Sequence, residues 1–319
     1  MLMLIGGMSL PLKSATSSGS QESWEELMWL AVDKTTLRAD LRTLPPPGEG
    51  KPSMLLHRFR IAIGKKTGDK EREGDNRTPE GIYFALNHIE ANNLLASKYG
   101  QRAIPLNFPN PVDRMDKKTG YGIWLHGAGN DDRIADAQVT EGCVAFYNAD
   151  ILKLKSWIRP HQSLVVIAKD LSAVNVDQDR KDVLDLTKAW VSAWESQNID
   201  QYIDFYSDSF NQGGKSKKAY YNYKKRVFSS YKKMSIDHSG MWVVTHPKYA
   251  VSFMNQDFKG DQRFRSVGRK ILYWMREAKG WKIIAEKFNK NLFKPMAFNE
   301  KDLKSLTLGS KPDPVKTKI

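Results

Sequence analysis

Short apolar runs separated by polar loops fill the first half of the chain. Five of these runs are rich in β-branched and aromatic residues, which predicts β-strands at 28–33, 55–64, 81–86, 122–127 and 163–168. The polar segments 64–81 and 105–120 carry glycine and proline and predict exposed loops. In 148–158 the apolar residues recur at helical spacing, so one helix is expected there.

The periodicity changes after residue 170. Segment 171–179 is polar and predicts a linker. The next apolar residues step by three and four, which predicts one helical stripe formed by Val183, Leu186, Trp190, Ala193 and Trp194. Two further helices are expected at 199–206 and 215–231. Four strands follow them, at 241–245, 249–254, 264–276 and 281–288. Helices followed by an antiparallel meander indicate an α+β arrangement.

With 319 residues the chain is long enough for two domains. We predict a mainly β domain followed by an α+β domain. The chain then divides into a disordered or processed leader (1–22), the first domain (23–170), a linker (171–179), the second domain (180–295) and a C-terminal tail (296–319). The order of helices and strands in 180–295 resembles the cone-shaped fold of the nuclear transport factor two (NTF2) family.

The N-terminus is apolar for about ten residues and then rich in small residues. It lacks the basic start of a full secretory signal, so a signal remnant and a cloning remnant both stay open. No stretch of the sequence approaches the ~20 apolar residues that a membrane span requires.

Basic residues are concentrated in the second half. The chain has a net charge of +14; residues 1–170 hold 22 Lys and Arg against 20 Asp and Glu, whereas residues 171–319 hold 28 against 16. The excess of positive charge in the second half favours binding to anionic polymers. Nucleic acid, an anionic lipid surface and a cell-wall polymer all satisfy that requirement.

The single cysteine, Cys143, limits the chemistry. One cysteine allows neither an intrachain disulfide nor a multi-thiolate metal site, and we expect no metal or cofactor. His126 ends a predicted strand upstream, and a predicted helix follows Cys143. A neighbouring base or a helix N-terminus would favour the thiolate. Gly142 permits a tight turn in which nearby amides can face an oxyanion. These residues allow a Cys–His nucleophilic pair, and their spacing alone equally allows a buried structural cysteine beside an unrelated histidine.

The sequence around these two residues resembles the active-site signature of the L,D-transpeptidase catalytic-domain (YkuD-type) family. That signature is a His-Gly pair followed by Ser/Thr-x-Gly-Cys, here His126-Gly127 and Thr140-Glu141-Gly142-Cys143. An upstream Thr-Pro-x-Gly before a strand matches at 78–81. The resemblance covers about 24–170 and implies a β-sandwich that acts on peptidoglycan stem peptides.

The resemblance implies that Cys143 is the nucleophile, that His126 is its base, and that the amides of Gly142 and Cys143 form the oxyanion hole. Two positions depart from the family pattern. Glu141 stands where histidine is frequent, and Ala145 stands where cross-linking members carry Arg or Asn. Both departures are closer to the L,D-carboxypeptidases of curved and helical bacteria, which also carry a C-terminal NTF2-like domain.

Eight further residues are candidates for binding the substrate, whose stem peptide ends in a carboxylate. They are four cations, one tryptophan on the strand before His126 and three residues of the two motifs, namely Lys70, Arg77, Arg114, Arg133, Trp124, Gly127, Thr140 and Glu141.

The function expected from the sequence is an L,D-carboxypeptidase of the periplasm or cell envelope that trims tetrapeptide stems, influences cell shape and contacts glycan or anionic wall polymer through its second domain. One alternative is an L,D-transpeptidase that forms 3–3 cross-links or attaches proteins to the wall. Another is a non-catalytic wall-binding protein. Interleaved basic residues and tyrosines in 211–233 are compatible with nucleic acid, although no nucleic-acid motif accompanies them and no such partner is expected.

Overall fold

The alternating runs of the first half form one curved sheet with few helices. The computed structural model describes residues 23–45, 51–261 and 263–307; the predicted leader lies outside them. The elements of this half are β1 (Ser23–Asp33), β2 (Arg38–Leu44), β3 (Leu55–Gly64), β4 (Gly81–Phe84), β5 (Ile89–Glu90), α1 (Ala96–Tyr99), β6 (Arg102–Pro105), α2 (Pro111–Met115), β7 (Trp124–His126), β8 (Gln138–Thr140), β9 (Val144–Phe146), α3 (Asn148–Trp157) and β10 (Leu164–Ala168).

The strand order of this sheet places the site. The main path runs β4-β10-β1-β2-β3-β9-β7-β6-β5, with β8 beside β3. Most pairs are antiparallel, but β1 with β10, β7 with β9 and β3 with β8 are parallel. The apolar side chains of β1, β2, β3 and β9 pack with those of α3 in a common core, since alternate residues of each strand face the same side. Strands β7 and β9, which adjoin the two sequence motifs, lie toward the β5 end of this order.

The second half begins with helices and ends in a four-stranded antiparallel sheet. Its elements are α4 (Asp177–Glu195), α5 (Ile199–Asp204), β11 (Asn211–Gln212), β12 (Lys215–Ser216), α6 (Lys217–Ser229), β13 (Met234–His246), β14 (Tyr249–Gly260), β15 (Phe264–Glu277) and β16 (Gly280–Asn289). The apolar stripe of α4 packs on one face of the sheet. The predicted fold class, a mainly β domain followed by an α+β domain, is confirmed.

The other face of the four-stranded sheet packs against the first domain. Buried residues of β13, β14 and β15 share one apolar core with residues of β1, β4 and β10. Tyr249, which is 1% exposed, crosses this boundary. Its hydroxyl donates to the Ile82 carbonyl at 3.0 Å and accepts from Asn110 Nδ2 at 2.7 Å. The two domains are thus joined by an apolar interface with a satisfied polar contact inside it.

The last described segment returns to the first domain. Strand β17 (Met296–Asn299) pairs antiparallel with the start of β1, and α7 (Glu300–Thr307) follows it. Leu306 is fully buried in the core of the first domain. Part of the segment predicted as a tail is therefore ordered, and α4 begins inside the predicted linker. The exact domain boundaries stay a prediction. Among the described residues no helix is both long and apolar enough to cross a membrane.

Candidate active site

Strands β7 and β9 bring the predicted nucleophile and base to the same face. In this parallel pair His126 lies opposite Ala145. Cys143 directly precedes β9, two residues before Ala145, and alternate residues of an extended chain face the same side. The side chains of Cys143 and His126 accordingly line one cavity of about 750 Å³.

A tight turn presents Cys143. Thr140 Oγ1 donates to the Cys143 carbonyl at 2.8 Å and accepts from the Gly142 amide at 3.1 Å. Gly142 has a φ of 129°, and a Cβ there would lie 2.7 Å from the carbonyl oxygen of Arg77. Only glycine fits this conformation and this contact without strain. The Gly142 amide donates to Thr140 Oγ1 within this turn, and its part in an oxyanion hole stays a prediction.

The ring of His126 is fixed from two sides. Its Nδ1 hydrogen-bonds to the carbonyl oxygen of Gly127. A carbonyl can only accept, so Nδ1 carries the proton and Nε2 keeps a lone pair. Tyr99 packs edge-on against the imidazole with ring centroids 5.2 Å apart, and Trp124 packs against Tyr99 at 4.9 Å. The arrangement gives His126 the tautomer that a general base at Nε2 requires.

Burial favours the neutral forms of both side chains. It lowers the pKa of His126 to about 4, and Lys98 and Arg133 contribute to the same direction. Burial also raises the pKa of Cys143 to about 11, against a hydrogen bond from the Trp124 backbone. The helix predicted to assist the thiolate begins only at Asn148, beyond β9. Its N-terminus therefore does not follow Cys143 directly, and the resting pair is thiol and imidazole.

This protonation state predicts the pH dependence of the free thiol. Between about pH 4 and pH 11 both groups are neutral in the folded protein, so the ultraviolet thiolate band should be absent at neutral pH and should grow only in strongly alkaline solution. The measurement is difference absorbance between the wild type and Cys143→Ala across pH. A thiolate band that is already complete at neutral pH would show an ion pair instead.

The eight predicted substrate-binding residues separate into two groups. Five of them line the cavity, namely Lys70, Trp124, Arg133, Thr140 and Glu141. Three are not part of its lining, namely Arg77, Arg114 and Gly127.

Several of these residues have structural partners. Lys70 is 3% exposed, and its Nζ lies 2.8 Å from Asp75 Oδ1. Arg77 lies 3.3 Å from Glu71 outside the cavity. Arg114 lies on α2, which contacts β16 of the second domain. Arg77 and Arg114 therefore lie outside the cavity lining, and a part for them in substrate binding stays a prediction.

Two residues of the site were missed by the sequence reasoning. Lys98 and Tyr99 belong to α1, a helix of four residues. Lys98 Nζ lies 2.9 Å from Glu141 Oε2, beside the nucleophile. A helix this short shows no apolar period, and its proximity to His126 depends on tertiary packing alone. The only local signal is Gly100, which follows with a positive φ of 66°.

Comparisons with known proteins agree with this geometry. Residues 48–167 match the L,D-transpeptidase catalytic domain family (YkuD), and residues 182–287 match the Cds6 C-terminal NTF2-like domain family. YafK of Escherichia coli K12, provisionally described as an L,D-transpeptidase, is 29% identical over 143 residues. That alignment covers 43% of this chain and 51% of YafK, so it spans about half of the relative.

Two solved structures are similar over most of the chain. Bd1075 of Bdellovibrio bacteriovorus is 28% identical with a TM-score of 0.71, covering 83% of this chain and 93% of that one. The helical cell shape determining protein Pgp2 of Campylobacter jejuni is 22% identical with a TM-score of 0.65, covering 84% and 94%. At 22% identity, the similarity to Pgp2 is one of fold alone. Both likenesses extend over the two domains together.

Proposed function

Because this chain joins an L,D-transpeptidase catalytic domain to a C-terminal NTF2-like domain, we propose that it is an L,D-carboxypeptidase that removes the terminal D-Ala from peptidoglycan tetrapeptide stems. The observation that carries the proposal is the placement of Cys143 and His126 on one face of β7 and β9 in an open cavity. The site has a nucleophile, a base and room for an extended peptide.

The acylation step follows from the resting protonation state. Cys143 Sγ attacks the carbonyl carbon on the L-centre of the third stem residue, while His126 Nε2 accepts the thiol proton. The carbonyl oxygen becomes an oxyanion, and we assign its stabilisation to the backbone amide of Cys143. When the tetrahedral intermediate collapses, the amide bond breaks and His126 returns the proton to the amine of the departing D-Ala. A thioester on Cys143 remains.

Hydrolysis completes the cycle. His126 removes a proton from water, the hydroxyl oxygen attacks the thioester carbon, and the carbon–sulfur bond breaks. The products are a tripeptide carboxylate and the free thiol. A transpeptidase would instead hold an amine from a second stem in place to compete with water. Ala145, 2% exposed and opposite His126, offers no polar side chain for that purpose, which favours hydrolysis.

The test is digestion of purified disaccharide tetrapeptides in oxygen-18 water. We expect free D-Ala and disaccharide tripeptides that carry one heavy oxygen in the new carboxylate, with Cys143→Ala as the inactive control. A 3–3 linked dimer as the main product would establish the transpeptidase alternative. Binding of the tetrapeptide without any turnover would establish the non-catalytic alternative.

The second domain contributes wall contact in this proposal, in the periplasm or cell envelope. Exposed cations on and beside α6 support it, among them Lys218, Lys225 and Arg226. The similar Pgp2 is by its name a determinant of helical cell shape, and we propose a shape-related role here as well. Replacing these three cations with glutamate should weaken salt-sensitive binding to sacculi. Tighter binding to DNA than to sacculi would favour the nucleic-acid alternative.

A further inference from the structure

Lys98 lines the same cavity as Cys143. It lies on α1, its Nζ is 2.9 Å from Glu141 Oε2, and Glu141 is two residues before Cys143. Both Lys98 and Glu141 line the same cavity as Cys143 and His126. The positive charge of Lys98 also acts on both reacting side chains, since it lowers the pKa of His126 and opposes the rise in the pKa of Cys143 that burial causes.

The backbone that carries Lys98 is fixed, whereas its ion pair is not. A Cβ on Gly129 would lie 1.9 Å from the Ser97 carbonyl oxygen, and the Gln101 amide donates to Asn148 Oδ1 at 3.0 Å. The side chains of Lys98 and Glu141 are 47% and 61% exposed. Ion pairs this exposed are weak, so a ligand carboxylate can replace Glu141 on Lys98 with little loss.

Besides Lys98 the cavity is lined by the cations Lys65, Lys70 and Arg133. Lys65 is exposed, and the other two have partners of their own. Lys70 is buried against Asp75, and breaking such a pair would leave a buried charge. Arg133 donates to the Val139 carbonyl at 3.1 Å. Lys98 combines a cavity position, proximity to the reacting groups and a partner that is easily exchanged.

We propose that Lys98 binds the free terminal carboxylate of the stem peptide, with Glu141 as the anion that it holds while the site is empty. The proposal rests on the proposed function, because it explains why cleavage would be confined to the last residue. The attacked carbonyl carbon and the carboxylate carbon of the departing residue are at most about 3.8 Å apart. A cation beside the nucleophile therefore selects peptides that end one residue after the attacked bond.

A binding experiment separates this proposal from the turnover that it depends on. In a Cys143→Ala background, the affinities of a tetrapeptide and of its C-terminal amide are compared by calorimetry. We expect Lys98→Met to weaken binding of the carboxylate ligand by about 10- to 100-fold, the range for a lost charge-assisted hydrogen bond. The affinity for the amide should stay unchanged. Glu141→Gln should strengthen binding of the carboxylate ligand, because the carboxylate of Glu141 no longer competes for Lys98.

Matched controls define the outcomes. Lys155→Met removes a surface cation outside the cavity, whose partner is Glu90 at 3.4 Å, and should change neither affinity. Lys98→Arg should retain part of the preference for the carboxylate. Equal weakening of both ligands by Lys98→Met would show a structural role and overturn the proposal. The two proposals can also fail separately. If Lys98→Met weakens binding of the carboxylate ligand alone, but the wild type releases no D-Ala, this inference is supported and the proposed function is refuted.

Discussion

Replacing Cys143 with alanine is expected to abolish release of D-Ala, by at least about 10³-fold, while the protein stays folded. The loss is large because no thioester can form without the sulfur. The fold should persist because the half-buried thiol makes only weak polar contacts, 3.4 Å from the Gly122 carbonyl oxygen and with the Trp124 backbone. Product release is measured by mass spectrometry, and thermal unfolding is compared with that of the wild type.

His126→Asn provides the companion test. Asparagine can still donate to the Gly127 carbonyl, but it supplies no base at the position of Nε2, so a loss of about 10²- to 10⁴-fold is expected. Residues that act as a unit are not additive, and the double variant should be no slower than Cys143→Ala alone. A well-folded Cys143→Ala protein with substantial turnover would show that another group is the nucleophile.

Local sequence patterns predicted most of the fold and the centre of the site. The turn at Thr140–Cys143 depends on contacts within four residues and on the glycine at position 142, so its form follows from the motif itself. The strand before His126 and the stripe of α4 likewise reflect short-range periodicity. The catalytic roles of Cys143 and His126 stay predictions, which the variants above test.

Tertiary packing decided what the sequence did not show. Arg114 lies in α2, a helix that starts with proline and contacts β16, a strand more than 160 residues later, so nothing local reveals the direction of its side chain. The pairing of β17 with β1 joins the two ends of the described chain, and a four-residue strand has too few positions to show an alternation. Lys98 is a third case, because its importance comes from facing Glu141.

The second domain contains a buried charge cluster that the apolar pattern of its helices does not indicate. Glu286, Lys224 and Lys270 are each less than a tenth exposed. Glu286 accepts hydrogen bonds from Tyr206, at 3.2 Å, and from Tyr220. Lys270 Nζ lies 3.4 Å from Glu286 Oε2.

The electrostatics of this cluster depend on the one carboxylate. Lys224 Nζ lies 4.9 Å from the ring centroid of Trp194, in a largely aromatic environment. Although burial opposes the charge, Lys270 and Lys224 hold the pKa of Glu286 at about 2. Burial lowers the pKa of Lys224 to about 8, against the raising effect of Glu286. Glu286 thus compensates two buried ammonium groups.

Glu286→Ala is therefore expected to lower the free energy of unfolding by about 3–5 kcal/mol at neutral pH, since it leaves buried positive charge uncompensated. Exposed Glu277→Ala, on the adjoining hairpin, should change it by less than about 0.5 kcal/mol. The measurement is urea-induced unfolding of the full chain.

The pH dependence identifies the cause. The folded pKa of Lys224, about 8, is lower than its ordinary value of 10.5, so the unfolded chain binds more protons between these values and stability rises with pH there. Without Glu286 the pKa of Lys224 should fall further, so this gain in stability begins at a lower pH. The deficit of Glu286→Ala should accordingly shrink in alkaline solution. A deficit that is the same at all pH values would indicate lost packing around the tyrosines instead of uncompensated charge.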